Sequence, residues 1–276
     1  MGNELKQVLV HADASPQFAQ RLEFACRLAA RHGAGITALY ASPSAAEAVP
    51  IAADMGLALT LQVTQDTELA RARSIFDQLK PAKASAAWAE IHEFPLASAF
   101  AEQAFYADLA VLGQHDQGES LSTPMPADFP ETVITLSGRP ALVLPYTSAK
   151  PDLPGNVVIA WKPTRGTARA VAAALPILRD AKSVQILSWG VDAAATTGEG
   201  STIVSYLKAH GIQANWQREA VEPENLGDLL LSRAFDLRAD LLVMGCYGRA
   251  RAYEWVLGGV SRTVLKSMTL PVLMAH

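Results

Sequence analysis

The sequence DLAVLG at residues 108–113 recurs as DLLVMG at residues 240–245. Each copy is a short apolar run, which is typical of a buried strand. Each is followed by a loop, a helical stretch and a second apolar run, ALVLP at residues 141–145 and LPVLM at residues 270–274. Because the same elements return in the same order, the pattern indicates an internal duplication.

Predicted strands and helices alternate on both sides of this repeated sequence. The predicted strands include residues 35–41 and 183–189, and the predicted helices include residues 64–79 and 200–209. Each half begins with an apolar strand that leads into a helix, at residues 7–12 and 16–31 in the first half and at residues 157–161 and 167–178 in the second. Strands that are apolar on both faces and alternate with helices favour a parallel sheet covered on two sides. We therefore predict an α/β fold made of two repeated three-layer sandwiches, each with a five-stranded parallel sheet.

A polar stretch with two prolines and a glycine, residues 148–155, separates the two halves. Such a composition is typical of a linker between domains. The sequence thus predicts a first domain of residues 1–150 and a second domain of residues 151–276.

The composition excludes several classes of function. Half of the residues are apolar and 18% are charged, which favours well-buried cores. A net charge of −4 without a basic cluster argues against a nucleic-acid partner. We expect a cytoplasmic protein without a membrane partner, because the chain has neither a secretion signal nor an apolar run long enough to cross a bilayer. Two cysteines, Cys26 and Cys246, give no metal-ligand spacing, so no metal site is predicted.

The strongest signal for ligand binding follows the second copy of the repeat. From Gly245 to Ser261 the glycines have the spacing Gly-x2-Gly-x9-Gly-Gly-Val-Ser, between a predicted strand and a predicted helix at residues 260–268. In an open α/β sheet, ligands bind beyond the carboxyl ends of the strands, where a loop that leads into a helix presents backbone N–H groups. Glycines let that backbone approach an anion closely. The spacing predicts a phosphate-binding loop, and a tight turn followed by a helix cap is the alternative.

In this context the segment resembles the ATP-binding signature of the universal stress protein family, and the order of elements is similar to that of tandem family members over nearly the whole chain. The resemblance implies the adenine nucleotide α-hydrolase-like fold and a role in the stress response. It also implies that the second domain binds an adenine nucleotide, either ATP, ADP or AMP, with Mg²⁺ on the phosphates. The nucleotide-binding residues that it implies are Met244, Gly245, Gly248, Arg249, Gly258, Gly259, Val260 and Ser261, with Ala160, Lys162 and Ser188 as weaker candidates.

The chain departs from the family pattern in three places. Gly259 stands where family members usually have Ser or Thr, and Lys162 stands where the family favours Asp, which the first half keeps as Asp13. Residues 114–131 of the first half contain no second Gly-Gly-x-Ser element and carry acidic residues that oppose a polyphosphate. We therefore expect one nucleotide per chain and a degenerate loop in the first domain.

No set of residues indicates catalysis, since the sequence has no Gly-x-Ser-x-Gly element and no Walker-type Gly-Lys-Ser/Thr element. No catalytic residue is predicted, and we expect any ATP hydrolysis to be slow. Two functions stay open: a protein whose bound nucleotide controls its association with an unidentified protein partner, and a nucleotide-free tandem scaffold. An enzyme of the wider adenine-nucleotide α-hydrolase-like class is a weaker alternative, since the sequence supplies no second site for its substrate. The resemblance also implies that the two repeats pair through their last strands as an internal pseudo-dimer, and it leaves open whether the chain forms a homodimer.

Overall fold

The computed structural model describes residues 4–42, 55–81, 85–115, 125–147, 153–190, 202–219, 223–246 and 259–276. The chain divides into two compact units, residues 4–150 and residues 151–276. Each unit contains a five-stranded parallel sheet with helices between its strands. The predicted fold class, two repeated α/β sandwiches, is confirmed.

The first unit has the strand order β3-β2-β1-β4-β5, with all neighbouring strands parallel. The order reverses between β1 and β4, and the carboxyl ends of the strands on either side of such a reversal form the usual ligand crevice of an open sheet. The elements of this unit within the described residues are β1 (Gln7–Ala12), α1 (Pro16–His32), β2 (Gly35–Ala41), α2 (Met55–Leu79), β3 (Ala86–Ile91), α3 (Leu96–Ala104), β4 (Leu109–Gly113), α4 (Phe129–Ser137) and β5 (Ala141–Leu144).

The second unit repeats this topology, with the strand order β10-β9-β6-β7-β8 and parallel neighbours. Its reversal lies between β6 and β9, which correspond to β1 and β4. The elements of this unit within the described residues are β6 (Asn156–Ala160), α5 (Arg165–Asp180), β7 (Ser183–Trp189), α6 (Ile203–Ala209), β8 (Asn215–Glu219), α7 (Leu226–Asp236), β9 (Leu241–Gly245), α8 (Val260–Ser267) and β10 (Val272–Ala275).

The aspartate that begins each copy of the repeated sequence has the same role in both units. Asp108 Oδ2 accepts hydrogen bonds from the backbone N–H groups of residues 6 and 7, at 2.8 and 2.9 Å. Asp240 Oδ2 accepts from the N–H groups of residues 155 and 156, at 3.0 and 2.8 Å. Each aspartate therefore fixes the start of the central strand of its sheet beside the neighbouring strand. The two units thus share these hydrogen bonds as well as the repeated sequence.

Two predicted helices differ from the observed ones by three or more residues at their first residues. The helix expected at residues 64–79 begins at Met55, because residues 55–63 are rich in good helix formers and lack the polar face that makes helical periodicity visible. The helix expected at residues 200–209 begins at Ile203, because the Thr202 and Ser205 side chains form a capping box there. No helix in the described ranges is long and apolar enough to span a bilayer.

Candidate functional site

In the second unit, three neighbouring strands bring several of the predicted nucleotide-binding residues to one edge of the sheet. Ala160, the last residue of β6, pairs with Leu187 of β7 on one side and with Met244 of β9 on the other. Ser188 follows Leu187 directly, and Gly245 follows Met244. The carboxyl ends of β7, β6 and β9 thus place these four predicted residues next to one another.

Helix α8 begins on the same side of the sheet, since it connects the carboxyl end of β9 to the start of β10. Gly259 is its N-cap residue in an extended conformation, and Val260 and Ser261 form its first turn. The first N–H groups of a helix have no partner within the helix and attract anions. Three other predicted residues, Gly248, Arg249 and Gly258, lie outside the described residues.

Gly245 has a packing role that the sequence does not show. A Cβ at this position would lie 2.6 Å from the backbone N of Thr167 and 2.7 Å from its Oγ1. The first turn of α5 therefore packs directly on the end of β9, at a distance that only glycine allows. Close packing of helix on strand accounts for this glycine whether or not a ligand binds nearby.

The two serines at this edge are both buried. Ser188 is 7% exposed, and its hydroxyl accepts a hydrogen bond of 3.0 Å from Nε1 of Trp216. Ser261 is also 7% exposed. Cys246 is fully buried, which does not fit the exposed microenvironment of a reactive thiol.

The strand registers align the two units position by position at this edge. Val8 pairs with Ile36 and Leu109 as Val157 pairs with Val184 and Leu241. Counting along the strands from these residues matches three pairs of positions: Asp13 with Lys162, Tyr40 with Ser188, and Glu90 with Arg218. Two carboxylates of the first unit are thus replaced by two cations in the second.

The acidic character of the first unit's edge is visible at Tyr40. Burial raises the pKa of Tyr40 to about 12, and the carboxylates of Glu68, Asp13 and Glu90 act in the same direction. In the second unit, Lys162 is exposed and the guanidinium of Arg218 lies 3.5 Å from the centre of the Trp216 ring. An anionic ligand therefore meets a more favourable potential at the edge of the second unit than at that of the first.

The first unit contains a polar cluster at its own strand reversal, which the sequence analysis missed. The buried side chain of Arg21 donates through Nη2 to the carboxylate of Asp13, and through Nε to the backbone oxygen of His11 at 3.2 Å. Ser15 donates its backbone N–H to Asp13 at 2.9 Å. The signal that reveals Arg21 in the sequence is its place on the apolar face of α1, which is otherwise formed by residues such as Phe18 and Leu22.

His11 is enclosed by aromatic rings beside this ion pair. The ring centroids of Phe100 and Phe129 lie 5.6 and 4.8 Å from that of His11. Burial lowers the pKa of His11 to about 4, with Asp13 opposing this shift and Arg21 adding to it. His11 is therefore a neutral imidazole near pH 7.

Asp13 keeps its charge in the same cluster. Burial alone would raise its pKa, but Arg21, His11 and the hydrogen bonds from Ser15 together hold the pKa of Asp13 below its ordinary value. Among the described residues, no group of three or more histidine, cysteine, aspartate or glutamate side chains is arranged to hold a metal ion.

Comparisons with known proteins bear on the second unit and on the whole fold. The model of the universal stress protein family matches residues 178–276. A universal stress protein from Archaeoglobus fulgidus DSM 4304 has a similar structure, with a TM-score of 0.74 at 16% identity, covering 99% of this chain and 97% of that one. A functionally unknown protein from Pseudomonas aeruginosa PAO1 gives a TM-score of 0.59 at 14% identity, covering 98% and 92%.

No curated protein sequence matches the chain significantly. The two solved structures are only 16% and 14% identical to this chain, so their likeness shows a shared fold. The match of the family model shows in addition a similarity in sequence. The resemblance inferred from the glycine spacing and the repeated strands is thereby confirmed: residues 178–276 match the model of the universal stress protein family, and the whole chain has the fold of a universal stress protein.

Proposed function

We propose that this chain is a cytoplasmic stress-response protein whose second unit binds an adenine nucleotide, ATP, ADP or AMP, with Mg²⁺ on the phosphates. The observation that carries the proposal is the convergence of Ala160, Met244 and the start of α8 at one edge of the second sheet. The cation Lys162 follows the end of β6 at this edge, where the first unit has Asp13. Backbone N–H groups at the start of a helix and a nearby cation together favour a phosphate chain.

In this proposal, the base and ribose lie against the ends of β6, β7 and β9, and the phosphates extend toward the start of α8. Gly248, Arg249 and Gly258 complete the phosphate contacts that the family resemblance implies. Nucleotide occupancy alters the surface of the second unit and thereby its association with a protein partner. Pairing of the two repeats as a pseudo-dimer stays a prediction.

A second candidate function is a nucleotide-free tandem scaffold. The burial of the Ser261 side chain favours it, because a hydroxyl with so little exposed surface is poorly accessible to a phosphate. In this case the second unit would release no nucleotide on denaturation and would bind none in solution.

The variant Gly259→Asp separates the two candidates. Gly259 is an N-cap residue with φ −62° and ψ 147°, a conformation open to any residue, and Asp is a favoured N-cap side chain. The substitution should therefore leave the fold intact, while its carboxylate repels the phosphates. The matched control is Asn215→Asp, which adds the same charge at the start of the exposed strand β8, on the opposite edge of the sheet.

The experiment has two steps. Freshly purified protein is denatured and its supernatant is chromatographed for adenine nucleotide, and the protein is then titrated with ATP in a calorimeter. We expect binding by wild type and by Asn215→Asp, and none by Gly259→Asp. Absence of binding by wild type in both steps would favour the scaffold, and equal binding by Gly259→Asp would place the phosphates elsewhere.

A further inference from the structure

The first unit holds a pocket at its strand reversal, between the carboxyl ends of β1 and β4. The centres of water-sized molecules have about 40 Å³ of space in it, and the pocket opens to solvent. Its lining includes the apolar side chains of Met125, Pro126, Phe129 and Pro130 and the polar side chains of Asp13 and Arg21. An apolar cleft with a few converging polar groups is typical of a small-molecule site.

Arg21 lines this pocket and uses only one edge of its guanidinium in bonds to the protein. The side chain is 6% exposed. Its Nε and Nη2 atoms form the edge that binds the His11 carbonyl and the Asp13 carboxylate. The other edge, made of Nη1 and the second N–H of Nη2, has no partner within the described part of the chain. Two parallel N–H groups on a rigid plane match the two oxygens of a carboxylate.

Two features of the first unit make room for this arrangement. Gly113, at the end of β4, carries no Cβ, and a Cβ there would lie 2.5 Å from Nη1 of Arg21. In the second unit the position of Arg21 is taken by Ala170, and the position of Gly113 by Gly245, on which α5 packs directly. A buried arginine at this position is therefore specific to the first unit.

We propose that this pocket binds a small monocarboxylate with a short apolar tail. The carboxylate pairs with the unused edge of Arg21, and the tail lies against Met125 and Phe129. Arg21 and Asp13 together carry no net charge, so a carboxylate adds one negative charge. A phosphate or polyphosphate adds more and meets stronger repulsion from Asp13. This ligand differs from the nucleotide proposed for the second unit, and its binding does not depend on that proposal.

The probe is propionate, and the neutral amide propionamide serves as the control of the same shape. Saturation-transfer NMR on the full chain detects binding of either molecule, and titration of propionate gives its affinity. We expect saturable transfer to propionate, none to propionamide, and no displacement of propionate by inorganic phosphate, which has no carbon-bound proton and is therefore followed by competition. The Gly259→Asp variant should bind propionate like wild type, which separates this site from the nucleotide site.

The diagnostic substitution is Arg21→Lys, which keeps the charge and removes the planar fork. We expect its affinity for propionate to fall at least about tenfold, while Arg139→Lys, an exposed arginine of the same unit, leaves it unchanged. Unfolding curves check that both variants fold. Absence of transfer in wild type, equal transfer to propionamide, stronger binding of phosphate, or unchanged affinity in folded Arg21→Lys would each overturn the proposal. Should Arg21→Lys not fold, the comparison of propionate with propionamide on wild type decides.

Discussion

The guanidinium of Arg21 lies directly against Gly113, at a distance that leaves no space for a side chain. A Cβ on Gly113 would lie 2.5 Å from Nη1 and 3.2 Å from Cζ of Arg21. We expect Gly113→Ala to displace the guanidinium from Asp13. It should lower the free energy of unfolding by about 2 to 4 kcal/mol, since overpacking and a broken buried ion pair both destabilise. Urea unfolding of wild type and variant measures the loss.

A double-mutant cycle tests whether Arg21 is the cause of that loss. In an Arg21→Ala background the obstructing guanidinium is absent, so adding Gly113→Ala should cost about 1 kcal/mol or less. Equal losses in the two backgrounds would show that Gly113 is required for a reason other than its contact with Arg21.

Gly245 is the corresponding glycine of the second unit, and it supports a different contact. Because its missing side chain leaves room for the backbone of Thr167, we expect Gly245→Ala to shift the start of α5. The free energy of unfolding should fall by about 1 to 3 kcal/mol in the absence of any nucleotide. The control is Gly155→Ala, whose Cβ would have its nearest neighbour at 3.4 Å, an ordinary contact distance.

An unchanged unfolding midpoint for Gly245→Ala would contradict this packing role. A lowered midpoint would mean that weaker nucleotide binding by the same variant says nothing about a direct contact between Gly245 and phosphate. The substitution at Gly259 is the better test of the nucleotide site for that reason.

The sheet could be predicted from the sequence because buried parallel strands are apolar on both faces and end at turn residues. The predicted bounds of β2 and β7 coincide with the observed ones. The start of α2 could not be predicted in the same way, because residues 55–63 are mostly apolar, carry no charge and show no face that distinguishes helix from strand.

The candidate sites were only partly predictable. The meeting of Ala160, Ser188 and Met244 follows from the rule that parallel strands present their carboxyl ends at one edge, which needs no knowledge of side-chain contacts. The contact of Arg21 with Gly113 depends on the rotation of α1 about its axis and on a residue far away in the sequence. A local sequence pattern shows neither the rotation of the helix nor the distant contact. The ion pair between Arg21 and Asp13 is therefore visible only in the structure.

Buried His11 makes the stability of the first unit depend on pH. Its pKa is 6.5 in the unfolded chain and about 4 in the fold. Above pH 6.5 both states are neutral at this site, and as the pH falls toward 4 the unfolded chain gains a proton that the fold does not. The fold thus loses up to about 3 kcal/mol of stability over this window, and the lowered pKa of Asp13 adds a loss of the same sign at lower pH.

The variant His11→Asn tests this dependence, because Asn has a hydrogen-bonding side chain that does not titrate. Urea unfolding above pH 6.5 and near pH 4 should show that wild type loses about 3 kcal/mol more than the variant over the same interval. His210→Asn, at the end of α6, controls for the removal of a histidine from the other unit. Parallel losses in wild type and His11→Asn would contradict the lowered pKa.

Lys162 is the residue through which the proposed nucleotide site differs most from the family pattern, and its charge can be reversed without disturbing the core because it is exposed. We expect Lys162→Glu to weaken ATP binding about fivefold to tenfold, since an exposed charge contact contributes roughly 0.2 to 1 kcal/mol and reversal replaces attraction by repulsion. Lys208→Glu, exposed on α6, makes the same change in net charge away from this edge. Calorimetry at low and high salt should show a difference between the two variants that shrinks as salt screens it. Equal ATP affinity of both variants at low salt would show that Lys162 does not face the phosphates.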